Sequence, residues 1–337
     1  MKVLVVGTGS IGRRHIANLQ ALGADVSTYS YRGIRLMGVN SVMDLDLALQ
    51  SDFDAVVVAN NTNEHMDVSM KAALKGKHLF IEKPLATNLK GSEFLYEIAQ
   101  RMGLVVEVGF MLRTHPNLIW IKQALVDGVL GDLMYIYAAV GQWLPDWRPN
   151  SDYRTSYSAY RARGGGVIYD LIHELDLVYW LAGEVSEVSA MSRYVRNLEI
   201  ETEAIAQIGL RFKTGVLAQV HLDYVRPGYG RKLEIVGSNG VLSWDYLTNK
   251  VFFTRGAALE EIVHSVEEGY ERNMMFKTHM GLFLDRINKK SFVAVSPLND
   301  SIEVLKIALA CHKSAEKHCW VLPSEISNSF EPKMMDN

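Results

Sequence analysis

The sequence predicts an α/β protein: a doubly wound parallel sheet at the N-terminus, then an α+β domain with a large open, mostly antiparallel sheet. Three observations carry this. Short apolar runs alternate with helical patterns over the first 120 residues. From about residue 130, long stretches instead alternate apolar and polar residues with a period of two. The 337 residues suffice for two hydrophobic cores. The expected domains are 1–120 and 121–337.

The first strand is Val3–Val6, an apolar β-branched run suited to burial on both faces. Gly7, Thr8, Gly9, Ser10, Ile11 and Gly12 follow, and Ile16–Leu22 continues as a helical pattern. In such a turn the first glycine permits tight folding, the second lets backbone approach a pyrophosphate, and the third lets helix pack on strand. The phosphates meet free N–H groups at the positive end of the helix dipole. Dinucleotide binding is the expectation, against a plain strand–turn–helix.

Further parallel strands are expected at Val26–Tyr29, Ala55–Ala59, His78–Ile81 and Val105–Gly109, with helices such as His65–Leu74 and Leu89–Met102 between them. Ligands bind at the carboxyl ends of such strands. Later, Ala204, Ala206, Ile208, Leu210 and Phe212 alternate with polar residues, as do Val216, Ala218, Val220, Leu222 and Tyr224 beyond Lys213-Thr214-Gly215. That is an antiparallel hairpin with one buried face. Strands follow at Lys232–Val236, Val241–Asp245 and Lys250–Phe253, and a final helix at Asn299–His318.

A net charge of −3 provides no basic surface for nucleic acid, and no apolar run approaches a membrane span. The chain enters its first strand at once, leaving no room for a signal peptide. Cys311 and Cys319 fall in one helical pattern, about 12 Å apart along its axis and beyond disulfide reach. The expectation is a cytoplasmic protein without a metal centre.

Glu82-Lys83-Pro84 follows the fourth strand, at the active edge of the sheet. A lysine there can donate to a substrate hydroxyl and favour a developing alkoxide. By itself the tripeptide also suits a surface lysine before a loop proline.

Four stretches together, GTGSIGRRH at 7–15, EKPLA at 82–86, GFMLRTHP at 109–116 and GGGVIYDLIHELDLVYWLAG at 164–183, resemble the Gfo/Idh/MocA oxidoreductases, the family of glucose–fructose oxidoreductase and inositol dehydrogenase. The resemblance covers nearly the whole chain. It implies a Rossmann domain, NAD(P)-linked oxidation or reduction of a sugar, cyclitol or related alcohol, and a homodimer or homotetramer. It also implies roles for Lys83 and His173 on substrate. Some members keep the fold and act as regulators, so a non-catalytic NAD(P)- and sugar-binding regulator is the alternative; the presence of both Lys83 and His173 favours the enzyme.

In 164–183, three glycines lead into a helix expected from about Asp170. Leu171, Leu175 and Val178 share a core-facing stripe, and His173, Asp176 and Trp180 the opposite face. Histidine can take a hydroxyl proton as hydride leaves the same carbon, and Asp176 at i+3 can support the ring. An exposed polar face is the bland alternative. Relatives usually carry Asp-x-Gly-x-His-x-x-Asp, whereas here Asp170 is one residue closer to His173 and the glycine is gone. Asp170 stays a catalytic candidate of uncertain register. The shortened motif resembles that of members associated with nonulosonic acids and surface-sugar biosynthesis.

Other candidates have two readings each. Asn60, Asn61 and Thr62 end the third strand beneath the cofactor, or cap the next helix; His65 and Glu82 join them as cofactor candidates. Arg113 meets substrate or lies at the surface. Trp147, Arg148, Tyr153 and Arg154 form an aromatic, arginine-rich loop that can stack on a sugar and bind its acid groups, or serve as a structural loop or subunit contact. The second strand ends without the acid that would bond the NAD ribose, while Ser30 and Arg32 can hold a 2′-phosphate. NADP is therefore expected ahead of NAD.

Overall fold

The computed structural model describes residues 1–257 and 260–332. In chain order the elements are β1 (Lys2–Val6), α1 (Ser10–Ala21), β2 (Asp25–Tyr29), β3 (Asn40–Ser41), α2 (Leu45–Leu49), β4 (Ala55–Val58), α3 (His65–Leu74), β5 (His78–Ile81), α4 (Ser92–Met102), β6 (Val106–Val108), α5 (Pro116–Val126) and β7 (Leu133–Gly141). Then come α6 (Val167–Asp170), α7 (His173–Ala182), β8 (Val185–Arg193), β9 (Ile205–Phe212), β10 (Leu217–Asp223), β11 (Gly230–Gly237), β12 (Gly240–Asp245), β13 (Lys250–Thr254), β14 (Glu261–Ser265), α8 (Arg272–Ile287) and α9 (Leu298–Lys317).

The chain forms two compact units: Met1–Thr114 with Glu271–Ile302, and His115–Tyr270 with Glu303–Asn337. The first is thus discontinuous, a return of the chain that the alternating pattern of residues 1–120 does not announce.

In the first unit six parallel strands lie in the order β3-β2-β1-β4-β5-β6. Val3–Val6 and Ala55–Val58 are buried throughout, as strands covered on both faces must be. The returning α8 completes this core. Met280 and Phe283 are fully buried beside Val3, Val5, Leu19 and Phe80, with the Phe283 and Phe80 rings edge to face at 5.6 Å. The short β3 and α2 were not expected.

The second unit holds eight strands in the order β14-β13-β12-β11-β7-β10-β9-β8. Only β7 and β10 pair in parallel; every other pairing is antiparallel. The β9–β10 hairpin has the expected register, with Ala206, Ile208, Leu210, Ala218, Val220 and Leu222 buried on one face. α7 packs on that face against β7 and β10. The opposite face carries Tyr137, Gln219, Gln207 and His221, all partly or fully exposed. The last helix holds buried Leu305, Ala308 and Cys311, whereas Cys319 lies beyond its end and is exposed. Among the described residues no helix is long and apolar enough to cross a membrane.

Phe283→Ala should destabilise the protein by about 3–5 kcal/mol, the usual cost of emptying a buried phenylalanine site. A loss below about 1 kcal/mol in urea denaturation would show that α8 does not complete the core.

Candidate active site

The β1–α1 turn is built by close contacts that only glycine permits. Gly7 has φ +111°, donates its N–H to the Tyr29 carbonyl, and leaves no room for a Cβ, which would stand 2.3 Å from the Ala59 carbonyl oxygen. A Cβ on Gly12 would stand 2.0 Å from the Gly7 oxygen. Gly9 caps α1 in extended conformation, and nothing lies within 4 Å of where its Cβ would be. No side chain caps the helix and no acid lies in its first turn. The first turn of α1, at Ser10 and Ile11, thus lies at the open, positive end of the helix beside Gly9, an arrangement that fits a dinucleotide diphosphate.

Thr8 is buried and donates to the Ser30 hydroxyl at 3.2 Å. A cavity of about 190 Å³ opens beside β2, lined among others by Ser30, Tyr31, Ile34, Arg35, Ser41 and Met43. Arg35 enters it and reaches the Met43 sulfur at 3.4 Å. Arg32 is exposed and is not among its lining residues. The lining contains no acid. Sequence reasoning missed Arg35, because the loop path after Gly33 has no periodic signal.

The Lys83–Pro84 bond is cis, and Lys83 is half-buried. Glu82 is buried: its carboxylate meets the His15 Nε2 at 2.6 Å and accepts the Lys83 N–H at 3.3 Å. Burial pushes this carboxyl up, but the His15 hydrogen bond and the charges of His15, Lys83 and His65 outweigh it and hold it below the ordinary range. His65 is buried too. Its Nδ1 lies 2.9 Å from the Pro84 carbonyl and its Nε2 3.3 Å from the Asn60 carbonyl, so the ring ties together the turns after β4 and β5. Burial lowers its pKa, and a neutral ring donates to one of these carbonyls while its other nitrogen only packs near the second. Both residues support the loops that would meet a cofactor. Asn60 donates to Glu64 at 3.1 Å, Asn61 precedes a 3₁₀ turn without capping it, and Thr62 is buried.

Arg113 is buried, paired with Asp300 at 2.8 Å and donating to the Val295 carbonyl at 3.2 Å. Those bonds anchor the returning segment, and Arg113 does not lie at the surface, the alternative the sequence left open.

In the second unit the glycine run is again forced. A Cβ on Gly165 would stand 2.4 Å from the Ser158 carbonyl, and one on Gly166, at φ +108°, 2.3 Å from the Glu203 carboxylate. The single expected helix is two. Asp170 ends α6, a turn at Leu171-Ile172 intervenes, and His173 opens α7. The polar face is not exposed either: His173 and Asp176 are as buried as Leu175 and Val178. Glu174, unremarked in the sequence, is 1% exposed and pairs with the buried Arg231 at 2.6 Å, tying α7 to β11.

Asp170 accepts hydrogen bonds from the phenols of Tyr224 and Tyr157. Burial, with the Asp170 charge, drives both phenols far above their ordinary pKa. Trp147 packs edge to face on Tyr224 at 5.3 Å, and the Arg148 guanidinium lies 5.6 Å from the Tyr157 ring. Trp147 and Arg148 therefore belong to the surroundings of Asp170. Tyr153 is half-buried in a 3₁₀ turn. Arg154 is exposed, its guanidinium on Asp152 and Glu199. Glu203, which no pattern in the sequence marks, is buried, and burial pushes its carboxyl up to about 7.

Residues 1–110 match the model of the Gfo/Idh/MocA oxidoreductase family with its NAD-binding Rossmann fold, and residues 119–243 match that family's C-terminal domain. The chain belongs to the Gfo/Idh/MocA family. Among its relatives, the myo-inositol 2-dehydrogenase of Thermotoga maritima is 29% identical over 260 residues, 71% of this chain and 74% of that protein. The 2,7-anhydro-N-acetylneuraminate hydratase of Mediterraneibacter gnavus is 31% identical over 150 residues, 44% of this chain and 39% of that one. A levoglucosan dehydrogenase solved with NADH and levoglucosan superposes with a TM-score of 0.84 at 20% identity, covering 96% of this chain and 98% of the other, and shares the fold.

Glu203 makes stability depend on pH. Its folded pKa lies above its unfolded value, so the native state binds the extra proton between pH 4.5 and 7. Stability should fall as pH rises through that window, by about 3 kcal/mol from this group. Glu203→Gln should remove that component from the pH dependence measured by urea denaturation. An unchanged slope in the variant would assign the effect elsewhere.

Proposed function

We propose that the protein transfers hydride between a nicotinamide dinucleotide and a hydroxyl-bearing carbon of a sugar, nucleotide sugar or sugar acid. The observation that carries this is the lysine turn at the carboxyl end of β5, in the same sheet as the glycine turn after β1. A bound nicotinamide supplies the hydride acceptor or donor. The Lys83 ammonium donates to the reacting hydroxyl and favours its alkoxide form. His173 exchanges the hydroxyl proton, and Asp176, three residues along α7, supports the ring. Asp170 already accepts from two phenols and has the lesser role. The names of the inositol and levoglucosan dehydrogenases support a polyhydroxylated substrate.

Once a substrate is in hand, His173→Ala should lower turnover by roughly 10²–10⁴-fold and barely change cofactor affinity. Lys83→Ala should harm both turnover and ternary binding, and Asp170→Asn should matter less than either. Stopped-flow nicotinamide absorbance tests this; near wild-type hydride transfer in His173→Ala would pass the proton role to another group.

A second reading is favoured by the hydratase relative and the shortened Asp170–His173 motif. Here the substrate is a sialic acid-like sugar and the net reaction is redox-neutral, the cofactor being restored within each turnover. Product formation without net change in nicotinamide absorbance distinguishes it.

The cofactor in this reading is NADP(H). Support comes from the acid-free end of β2, Ser30 tied to Thr8, and the cationic side chains Arg32 and Arg35. Arg32→Ala should weaken NADP(H) selectively, by roughly 1.5–3 kcal/mol for one charge-assisted contact. Titration calorimetry with both cofactors decides: equal losses defeat the assignment, and a selective loss in Arg35→Ala alone moves it to that residue.

The exposed sheet face, with Ile205 and Leu217 among its polar residues, is proposed as a homodimer or homotetramer contact in a cytoplasmic protein. Light scattering at micromolar concentration should give a multiple of the chain mass, and a monomer would refute the contact.

A further inference from the structure

The ends of three strands in the second unit meet at a carboxylate that the proposed chemistry does not use. Gly141 closes β7, Asp223 closes β10 and Gly230 opens β11, and the three stand side by side. A Cβ on Gly141 would stand 2.1 Å from the Asp223 Oδ2, so glycine there lets the carboxylate lie across the strand end. Asp223 is buried, and its Oδ1 accepts the N–H groups of Val225 at 2.8 Å and Arg226 at 2.6 Å, which bends the chain as it leaves β10. Its Oδ2 meets the Nε2 of His221 at 2.9 Å, two residues back on the same face of the sheet. A carboxylate only accepts, so Nε2 carries the proton and Nδ1 receives the Gln207 amide at 2.8 Å. Burial raises the Asp223 pKa, and His221 and the two backbone amides more than reverse the shift.

Tyr224 stands between Asp223 and this bend. It is fully buried, and its phenol donates to Asp170. Its backbone is held as well: its carbonyl accepts the Leu144 N–H at 3.0 Å, and the Asp223 carbonyl accepts the Gln142 N–H at 3.2 Å. The direction in which the chain leaves β10 therefore sets where the phenol points. We propose that His221 and Asp223 are positioning residues for Asp170: the ring holds the carboxylate, the carboxylate fixes the bend, and the bend aims the Tyr224 phenol. A histidine on the open sheet face thus supports an acid on α6, through a hydrogen-bonded chain that starts at Gln207 on β9. The proposal deepens the reading of Asp170 as part of the wall that meets the reacting hydroxyl, and rests on it.

The first arms of the test use the full chain without substrate, so they stand or fall independently of hydride transfer. Hydrogen exchange of the Val225 and Arg226 amides is read by mass spectrometry with electron-transfer fragmentation. Carbon-13 NMR of Cζ-labelled tyrosine follows the Tyr224 phenol, whose signal is assigned by its loss in Tyr224→Phe. His221→Phe fills the ring's place and cannot donate. It should speed exchange at both amides roughly tenfold, the worth of one hydrogen bond, and move the Tyr224 signal toward that of a phenol in water. His221→Gln can donate to Asp223 and should restore both. Tyr224→Phe should leave the two amides at wild-type protection. Unchanged exchange in His221→Phe, an unmoved Tyr224 signal there, or a Gln variant as loose as the Phe variant each overturns the proposal. If the Phe variant does not fold, His221→Ala, which adds no bulk, takes its place with the same expectations. With a substrate in hand, His221→Phe should lower kcat no more than Asp170→Asn, leave dinucleotide affinity unchanged, and add nothing to Asp170→Asn in the double variant. Losses that add would separate His221 from Asp170 and overturn the positioning role. Full turnover in Asp170→Asn would instead count against Asp170 in the hydride reading, and the exchange and carbon-13 arms would still decide the bend.

Discussion

Burying a carboxylate without partners costs several kcal/mol. Glu107 on β6 is fully buried and meets that cost with the Arg286 guanidinium from α8 and the backbone N–H groups of Val295 and Ser296, with the His279 ring of α8 3.7 Å away. Burial raises its pKa and these partners more than reverse the shift. All of them come from the returning segment, nearly two hundred residues later in the chain. The pairing therefore selects which distant piece of chain closes the first sheet. Arg113 with Asp300 repeats the device one turn away. Removing one partner would leave the other charged and dry, so each pair constrains more than its net energy suggests.

The same constraint shapes the candidate active site. Glu82 is held by His15 on the very helix whose open end fits a diphosphate, and His65 joins the turns after β4 and β5. Lys83 is thereby flanked by residues with fixed partners, and a cation on a rigid turn can be aimed. In the second unit Glu174 with Arg231 fixes α7, the helix that His173 opens. Asp170 accepts from the Tyr224 phenol, and burial pushes the Glu203 carboxyl up to about 7.

Much of this was legible in the chain order of residues. The run Val3–Val6 before Gly7, Gly9 and Gly12, and the period-two alternation on both sides of Gly215, follow from local sterics and one-sided burial, so β1, α1, β9 and β10 stand where expected. His65–Leu74 and His78–Ile81 match to the residue. What no pattern announced was partnership. A glutamate at 82, 107, 174 or 203 looks alike in sequence, because charge and size do not tell what will lie opposite once the chain has folded. Arg113 and Arg154 looked free for a substrate and are committed to acids elsewhere in the fold. His173 and Asp176 share one face, for which an exposed surface was the bland alternative, and both are buried, since helical phase fixes which residues share a side but not what covers it. Sequence alone determined most strands of the first sheet, the β9–β10 hairpin, the fingerprint and the family; tertiary structure decided the remaining strands and which ionisable groups pair, because desolvation makes those choices only when distant segments meet.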